Sequence, residues 1–234
     1  MLGHPKSGTN WLCSVLSDYF AHPVFQAWKR LTPAVSPQIF HMHRFMLTAP
    51  AKKRTFYLYR DGRDIVVSAF FAMARDPWES ETKRSFERFL GTRMDESRIE
   101  EQLPRFIEWR FEIDKSSSIR WPDHISKGFV YPYTRLSFEA MKADAFLEVK
   151  RAIHDMTGSG VDEELLRRSV ERNDFQRKKK LIGNSHFLRS GKAGDWADCF
   201  TPEAAAKFQF YAQNALETLG YEQDGSWTEN CKSA

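Results

Sequence analysis

Residues 3–10 have the composition and spacing of an anion-binding loop, and they precede a pattern typical of a helix. Gly3 and Gly8 are spaced as in the phosphate-binding pattern GxxxxGK[ST], but Thr9 follows Gly8, and Lys6 stands two positions before it. Backbone N–H groups at the start of a helix attract negative charge, and an ammonium adds to that attraction. The loop therefore predicts binding of a phosphate-like group, whereas it fits ATP with Mg²⁺ poorly.

Two histidines, His41 and His43, lie in residues 38–45, which we predict to form a short strand. Side chains two residues apart in a strand point to the same side, so the two imidazoles should be neighbours. A neutral imidazole titrates near neutral pH and suits a general base that takes a proton from an attacking hydroxyl or amine. Either histidine could act in this way, and a purely structural role is the alternative for both.

A second polar group begins where a strand predicted over residues 55–59 ends. Arg60 follows this strand directly, and Ser68 lies about two turns into a helix predicted over residues 64–74. A guanidinium fork and a hydroxyl in these positions could converge on one phosphate group. A kinase that uses ATP and Mg²⁺ would need an acidic residue where Arg60 stands. The neighbouring Arg63 and Asp64 are expected to form a surface ion-pair cluster.

Three motifs in order resemble those of the PAPS-dependent sulfotransferase family. Residues 4–12, HPKSGTNWL, resemble the family's 5′-phosphosulfate loop, PKSGT[TN]WL. Residues 59–68, YRDGRDIVVS, resemble its 3′-phosphate motif, in which an arginine and a serine eight residues later hold that phosphate. Residues 187–196, FLRSGKAGDW, resemble the late RKGxxGDW loop. One such motif would be weak evidence, but three in this order are specific.

The resemblance implies a role for each motif residue. The nucleotide-binding residues would be Lys6, Ser7, Gly8, Thr9, Asn10, Trp11, Arg60, Ser68, Tyr133, Phe175, Arg189, Ser190 and Gly191. Trp11 and Phe175 would sandwich the adenine, and Tyr133 would contact it from the strand-end position where the family often has YED. His43 would be the catalytic base, with His41 as the alternative, and Lys6 would stabilise charge on the leaving oxygen. The co-substrate would be PAPS, the product PAP, and no metal would be required.

The elements that position these motifs alternate between strands and helices. We further predict a strand over residues 129–133 and helices over residues 98–115, 143–156 and 162–172, and a last helix that Thr201 caps and that ends before Gly220. This alternation predicts a parallel sheet. The resemblance implies a three-layer α/β/α fold similar to the P-loop nucleotide kinases. Residues 175–200 are irregular, and a segment of this length is usually functional.

Composition limits the class of protein. The 234 residues carry 35 Lys and Arg against 31 Asp and Glu, a net charge of +4 that is too small to indicate a nucleic acid partner. The three cysteines form no metal-ligand or disulfide pattern, and no apolar stretch reaches the ~20 residues of a membrane span. We expect one domain over residues 1–234 with a short first strand, a flexible tail at residues 226–234 and a cytoplasmic location, since no secretory signal is visible.

The leading hypothesis is transfer of a sulfuryl group from PAPS to a hydroxyl or amine of a small-molecule, glycan or lipid acceptor. The alternatives are an ATP-dependent small-molecule kinase and a non-catalytic anion-binding homologue. The dimer signature of some cytosolic relatives, KxxxTVxxxE, is not reproduced between Lys207 and Glu217, so the sequence leaves the oligomeric state open.

Overall fold

The structure is a computed structural model that describes residues 1–26, 38–45, 54–114, 120–174, 177 and 191–231. The chain forms two compact units. The first contains Met1–Arg60 and Lys127–Gly183, and the second contains Asp61–Ser126 and Asn184–Ala234. Each unit is therefore built from two separate stretches of the chain, and the single domain expected from the sequence stays a prediction.

Strands and helices alternate along the described residues. The strands are β1 (Leu2–Gly3), β2 (Val24–Gln26), β3 (Ile39–His41), β4 (Phe56–Tyr59) and β5 (Thr134–Ser137). The α-helices are α1 (Thr9–Phe20), α2 (Gly62–Ala74), α3 (Glu81–Leu90), α4 (Ile99–Glu112), α5 (Trp121–Val130), α6 (Phe138–Ala143), α7 (Ala145–Thr157), α8 (Glu163–Arg172) and α9 (Pro202–Leu219). Short 3₁₀ helices lie at Glu96–Arg98, Asp195–Asp198 and Gly225–Asn230.

Three parallel strands form the sheet of the first unit, in the order β1, β4, β5. Leu2 pairs with Tyr57 of β4, and Phe56 pairs with Thr134 of β5. β2 and β3 form a second parallel pair, and Met42, just after β3, bridges to Leu2. The parallel sheet and its alternating helices confirm the α/β class.

Helix α1 packs its apolar face against the sheet of the first unit. Leu12 and Leu16 are buried in one cluster with Leu58 of β4 and with Val149 and Ile153 of α7. Residues three or four apart share a helix face, which is why this part of the sequence buries itself as a helix. Each such side chain contributes roughly 1.5–3 kcal/mol of burial free energy. The loop that precedes α1 is therefore attached to a rigid support.

Aromatic packing joins the helices of the second unit. Phe106 of α4 packs edge-on against Phe70 of α2 and Phe86 of α3, with ring centroids 5.3 and 5.1 Å apart. The predicted cap of α9 is confirmed, since Thr201 Oγ1 accepts the Ala204 N–H over 3.3 Å. The packing of Phe70 on Phe106 fixes helix α2, which follows Arg60 along the chain, to the core of its own unit.

The strand predicted over residues 129–133 is wrong. Helix α5 continues to Val130, and the strand that follows is β5, at Thr134–Ser137. The β-forming residues at 129–133 therefore belong to a helix end and a turn. Gly128 permits this arrangement, because an added Cβ at that position would lie 2.1 Å from Cζ of Tyr57 in β4. The Tyr57 ring of β4 can lie against α5 only because Gly128 has no side chain.

The first residues of the tail predicted over 226–234 form regular structure, and its flexibility stays a prediction. The 3₁₀ helix Gly225–Asn230 buries Trp227, and its Nε1 donates to Gln213 of α9 over 3.2 Å. An indole contributes a large apolar area, which offsets the entropy lost on ordering the segment. Within the described ranges, no helix is both long and apolar enough to cross a membrane.

Candidate active site

The functional candidates of the first unit lie where parallel strands end. Gly3 ends β1, Arg60 follows β4, and Phe138 follows β5. The Gly3 N–H donates to the Met42 carbonyl over 3.3 Å, which brings the segment after β3 beside β1. In open α/β sheets, ligands bind outside the carboxyl ends of the strands. The sheet therefore gathers these segments at the edge where a binding site is expected.

The loop from His4 to Gly8 is a tight turn. The Ser7 N–H donates to the His4 carbonyl over 3.1 Å. Lys6 has a φ of 73° and Gly8 a φ of 90°. This left-handed backbone costs a residue with a side chain roughly 1–2 kcal/mol, so surrounding contacts must hold it. Arg60 supplies one such contact, since its Nη1 donates to the Lys6 carbonyl over 3.2 Å.

The Ser7 hydroxyl is a buried polar group at the centre of this loop. It is fully buried, and it has no hydrogen-bond partner in the described part of the chain. Helix α1 starts directly after Gly8 with no side-chain cap from the described residues. The first N–H groups of a helix have no partner within the helix. Hydroxyl, helix start and the Lys6 ammonium together suit an anion with several acceptor oxygens.

Phe138 covers the loop from the end of β5. A Cβ added to Gly8 would lie 2.7 Å from Cδ2 of Phe138, so only glycine allows this approach. The Arg60 guanidinium carbon lies 4.1 Å from the centroid of the Phe138 ring, and Trp11 meets that ring edge-on at 6.2 Å. Phe138 thus contacts the loop, Arg60 and Trp11. Sequence reasoning missed it, because the strand was predicted over residues 129–133, whereas β5 lies at Thr134–Ser137, directly before Phe138.

Tyr133 does not occupy the strand-end position predicted for it. It precedes β5, so it lies at the amino end of the strand, whereas Ser137 forms the carboxyl end near the loop. Its ring packs against Tyr57 and Phe45 with centroids 6.0 and 6.4 Å apart. The expected contact between Tyr133 and adenine therefore rests on a wrong strand boundary. Phe138 is the residue that directly follows the carboxyl end of this strand.

His41 and His43 are neighbours, as predicted, with ring centroids 4.9 Å apart. They are not on one strand, because β3 ends at His41. The Nδ1 atom of His43 lies 2.7 Å from the carbonyl oxygen of Gly3. A carbonyl can only accept a hydrogen bond, so Nδ1 carries the proton and Nε2 of the neutral ring carries the lone pair. Gly3 thereby fixes the tautomer that a base needs.

Burial separates the two histidines as candidate bases. His41 is 1% exposed, and burial, together with the nearby His43, lowers its pKa to about 4. His43 is only partly buried; burial lowers its pKa, and the bond to the Gly3 carbonyl opposes that change. Both rings are therefore neutral at pH 7. Only His43 combines that state with exposure to an incoming molecule.

In the second unit, Asp64 binds the segment that contains the sequence Gly-Asp-Trp. Its Oδ2 accepts the Gly194 N–H over 2.9 Å, and its Oδ1 accepts the Trp196 N–H over 3.0 Å. Asp64 is 1% exposed. A buried carboxylate that accepts two N–H bonds is satisfied inside the protein. The surface ion-pair role expected for Asp64 is therefore wrong.

Arg63 is buried as well, contrary to the same expectation. It donates to Asp61, with an Nη2–Oδ2 distance of 2.7 Å, and its Nη1 pairs with Glu222. Its guanidinium carbon lies 3.8 Å from the Trp196 ring centroid and 4.7 Å from that of Trp227. Arginine suits this setting because its planar group bonds at the edge and stacks on its faces. Its burial is explained by Glu222, Trp196 and Trp227, which lie far along the chain and which no local pattern reveals.

The remaining site residues divide by where they lie. Thr9 is buried and Asn10 exposed at the start of α1, in the first unit. Ser68 is half-buried on α2, and Gly191 is half-buried with a φ of 62°, both in the second unit. Phe175, Arg189 and Ser190 lie outside the described residues.

Fold and site together define an α/β protein with an anion-binding loop after its first strand and a histidine beside that loop. Residues 21–220 match the family described as the sulfotransferase domain. The chain therefore belongs to the sulfotransferase family. The match includes both histidines and the later two motifs. The loop at residues 3–10 precedes it, so the evidence for the loop is its own sequence and geometry.

Relatives cover nearly the whole chain at low identity. The chain is 24% identical to human sulfotransferase 2A1 over 266 residues, which cover 94% of this chain and 84% of that protein. It is 24% identical to mouse sulfotransferase 1B1 over 252 residues, covering 88% of this chain and 78% of that one. The crystal structure of mouse sulfotransferase SULT7A1 complexed with PAP matches with a TM-score of 0.64 at 18% identity, over 97% of this chain and 85% of that chain. This last likeness shows the fold.

Proposed function

We propose that the protein transfers a sulfuryl group from PAPS to a hydroxyl or amine of a small-molecule, glycan or lipid acceptor and releases PAP. One observation carries the proposal: the Gly3 carbonyl accepts a bond from Nδ1 of His43, 2.7 Å away, at the start of the loop that holds Lys6. A base of fixed tautomer thus lies beside an anion-binding loop. Membership of the sulfotransferase family and the PAP complex of the fold neighbour support the choice of donor.

The loop residues would hold the 5′-phosphosulfate. The ammonium of Lys6, the buried hydroxyl of Ser7 and the backbone of Gly8, Thr9 and Asn10 provide donors for its oxygens. Lys6 would also stabilise the charge that grows on the oxygen bridging sulfur and the 5′-phosphate. The strained φ of 73° at Lys6 supports this role, because it fixes where the side chain leaves the loop.

The family motifs assign the remaining contacts to the nucleotide. Arg60, Ser68 and Gly191, with Arg189 and Ser190, would hold the 3′-phosphate. Trp11 and Phe175 would sandwich the adenine. For Tyr133 we propose no nucleotide contact, because it precedes β5, and Phe138 is the residue that follows the carboxyl end of this strand.

His43 would remove the proton of the acceptor. The acceptor oxygen or nitrogen attacks sulfur, its proton passes to Nε2 of His43, and the bond between sulfur and the 5′-phosphate oxygen breaks with its electron pair on that oxygen. The products are a sulfate ester or sulfamate and PAP. His41 is too deeply buried for this step, at 1% exposure.

The direct test is PAP release from PAPS with a panel of phenols, alcohols and amines. We expect turnover with at least one acceptor and its loss in Lys6→Ala and His43→Ala. Lys150→Ala is the matched control, because this half-buried lysine pairs with Glu163 on α8, in the same unit but outside the site. Unchanged turnover in Lys6→Ala would contradict the proposal. Binding of PAP without sulfation of any acceptor would identify a non-catalytic homologue instead.

A further inference from the structure

A single carboxylate joins helix α2 to a distant turn of the second unit. Asp64, in the first turn of α2, accepts N–H groups from Gly194 and Trp196 over 2.9 and 3.0 Å. These partners lie 130 and 132 residues further along the chain. At 1% exposure the carboxyl group is shielded from water, so both bonds lie in a medium of low dielectric constant. The contact fixes the turn to this one place on α2.

Each partner of this contact adjoins a group assigned to the 3′-phosphate. Ser68 stands one helical turn after Asp64, so both side chains lie on the same face of α2. The turn that Asp64 holds starts just after Gly191. A shift of the turn would therefore change the distance between Gly191 and Ser68. Positions that converge on one ligand must be held to within a fraction of an ångström to bind it well.

Arg63 reinforces the same connection from the next position of α2. Its guanidinium stacks on Trp196, 3.8 Å from the ring centroid, while its edge bonds to Asp61 and Glu222. Asp64 fixes the backbone of the turn, whereas Arg63 packs on the side chain of Trp196 in the same turn. The hydrogen bonds are the directional part of the pair, because a stacked ring can slide more freely than an N–H held on an oxygen.

We propose that Asp64 is a positioning residue that gives the protein its preference for nucleotides with a 3′-phosphate, by holding the turn at residues 191–196 against the helix that carries Ser68. The inference rests on the proposed function, which assigns Ser68 and Gly191 to that phosphate. Asp64 itself touches neither the nucleotide nor the acceptor.

Asp64→Asn separates this role from simple packing. Asparagine has nearly the same shape, but it offers only one acceptor oxygen, and its amide group points a donor at the second backbone N–H. The turn must shift to avoid that contact. The matched control is Thr201→Ala, which removes one bond to a backbone N–H in the same unit, at the start of α9.

The experiment is calorimetric titration of the whole protein with PAP and with adenosine 5′-phosphate, which lacks the 3′-phosphate. We expect the unmodified protein and Thr201→Ala to bind PAP more tightly than adenosine 5′-phosphate. In Asp64→Asn, affinity for PAP should fall roughly 10- to 100-fold while that for adenosine 5′-phosphate changes less than about threefold. The inference would be overturned if Asp64→Asn lowered the affinity for both ligands equally, or if it left both affinities unchanged.

Two further outcomes are distinguishable. If the unmodified protein binds both ligands equally, the 3′-phosphate assignment fails, and the proposed function fails with it. If Asp64→Asn does not fold, Gly194→Ala takes its place. Gly194 has a φ of 77° and open space around it, so an added Cβ strains the turn without filling a contact. Gly194→Ala must then weaken the binding of PAP more than the binding of adenosine 5′-phosphate. Equal weakening of both affinities would overturn the inference.

Discussion

His43 Nδ1 and the carbonyl oxygen of Gly3 lie 2.7 Å apart, although 40 positions separate the two residues in the sequence. The bond fixes the imidazole beside the loop at residues 3–10. It also leaves Nε2 as the basic nitrogen of the neutral ring. One contact thus sets the position and the protonation pattern of the candidate base.

Replacement of His43 should strongly reduce turnover without abolishing nucleotide binding. We expect His43→Ala to lower kcat by roughly 10²–10⁴, the usual contribution of a general base, with the Kd for PAP changed little. Kinetics with saturating PAPS and titration with PAP measure the two quantities. A His43→Ala variant with normal kcat would remove this residue from the mechanism. His41→Ala is informative beside it, because a loss confined to that variant would make His41 the base.

The stability of the protein should depend on His41 in acid. Burial lowers the pKa of His41 from its ordinary 6.5 to about 4, so between these values the unfolded chain binds a proton that the folded chain does not. The stabilising effect of the neutral ring is present above about pH 6.5 and is lost as pH falls through about 4. One such group changes the free energy of unfolding by at most about 1.4 kcal/mol per pH unit.

Urea unfolding of the unmodified protein and of His41→Gln, at several pH values between 7.5 and 4.5, measures this dependence. We expect the unmodified protein to lose stability more steeply than the variant as pH falls. Parallel curves for the two proteins would contradict the assignment of the titration to His41.

Gly8 should be far less replaceable than another glycine of similar backbone conformation. Gly8→Ala places a Cβ 2.7 Å from the Phe138 ring at a φ of 90°, whereas Gly158→Ala, at a φ of 65°, meets nothing within 4 Å. We expect Gly8→Ala to cost about 1–3 kcal/mol more than Gly158→Ala, from overpacking. Urea unfolding of both variants gives the difference. Equal losses would show that Phe138 does not press on the loop.

The sequence predicted the elements whose signals are local. Strand β4 and helix α1 follow from β-branched or aromatic runs and from apolar spacing, and the cap of α9 follows from Thr201 and Pro202. The strand expected at residues 129–133 failed because its aromatic residues pack from a helix end and a turn. Local propensity does not distinguish an aromatic ring that is buried from a strand from one that is buried from a helix end or a turn.

The site was predictable only where its motifs are continuous. The loop around Lys6 and the pair His41 and His43 were visible as short patterns. The roles of Arg63 and Asp64 were not, because Glu222, which pairs with Arg63, and Gly194, which bonds to Asp64, each lie more than 100 residues away, and the sequence shows only a mixed charge cluster. Phe138 was missed because its position at a strand end depended on a strand boundary that propensity misplaced.

The most direct measurement is the thermal stability of the protein with PAP, ADP and Mg-ATP compared. A ligand that binds only the folded state adds about 2.7 kcal/mol at 100 times its Kd. We predict a clear rise in Tm with PAP and a much smaller one with ADP or Mg-ATP, because only PAP carries the 3′-phosphate that the proposed function requires. A rise with Mg-ATP alone would indicate a kinase, and no rise with any of the three would contradict a nucleotide site in this protein.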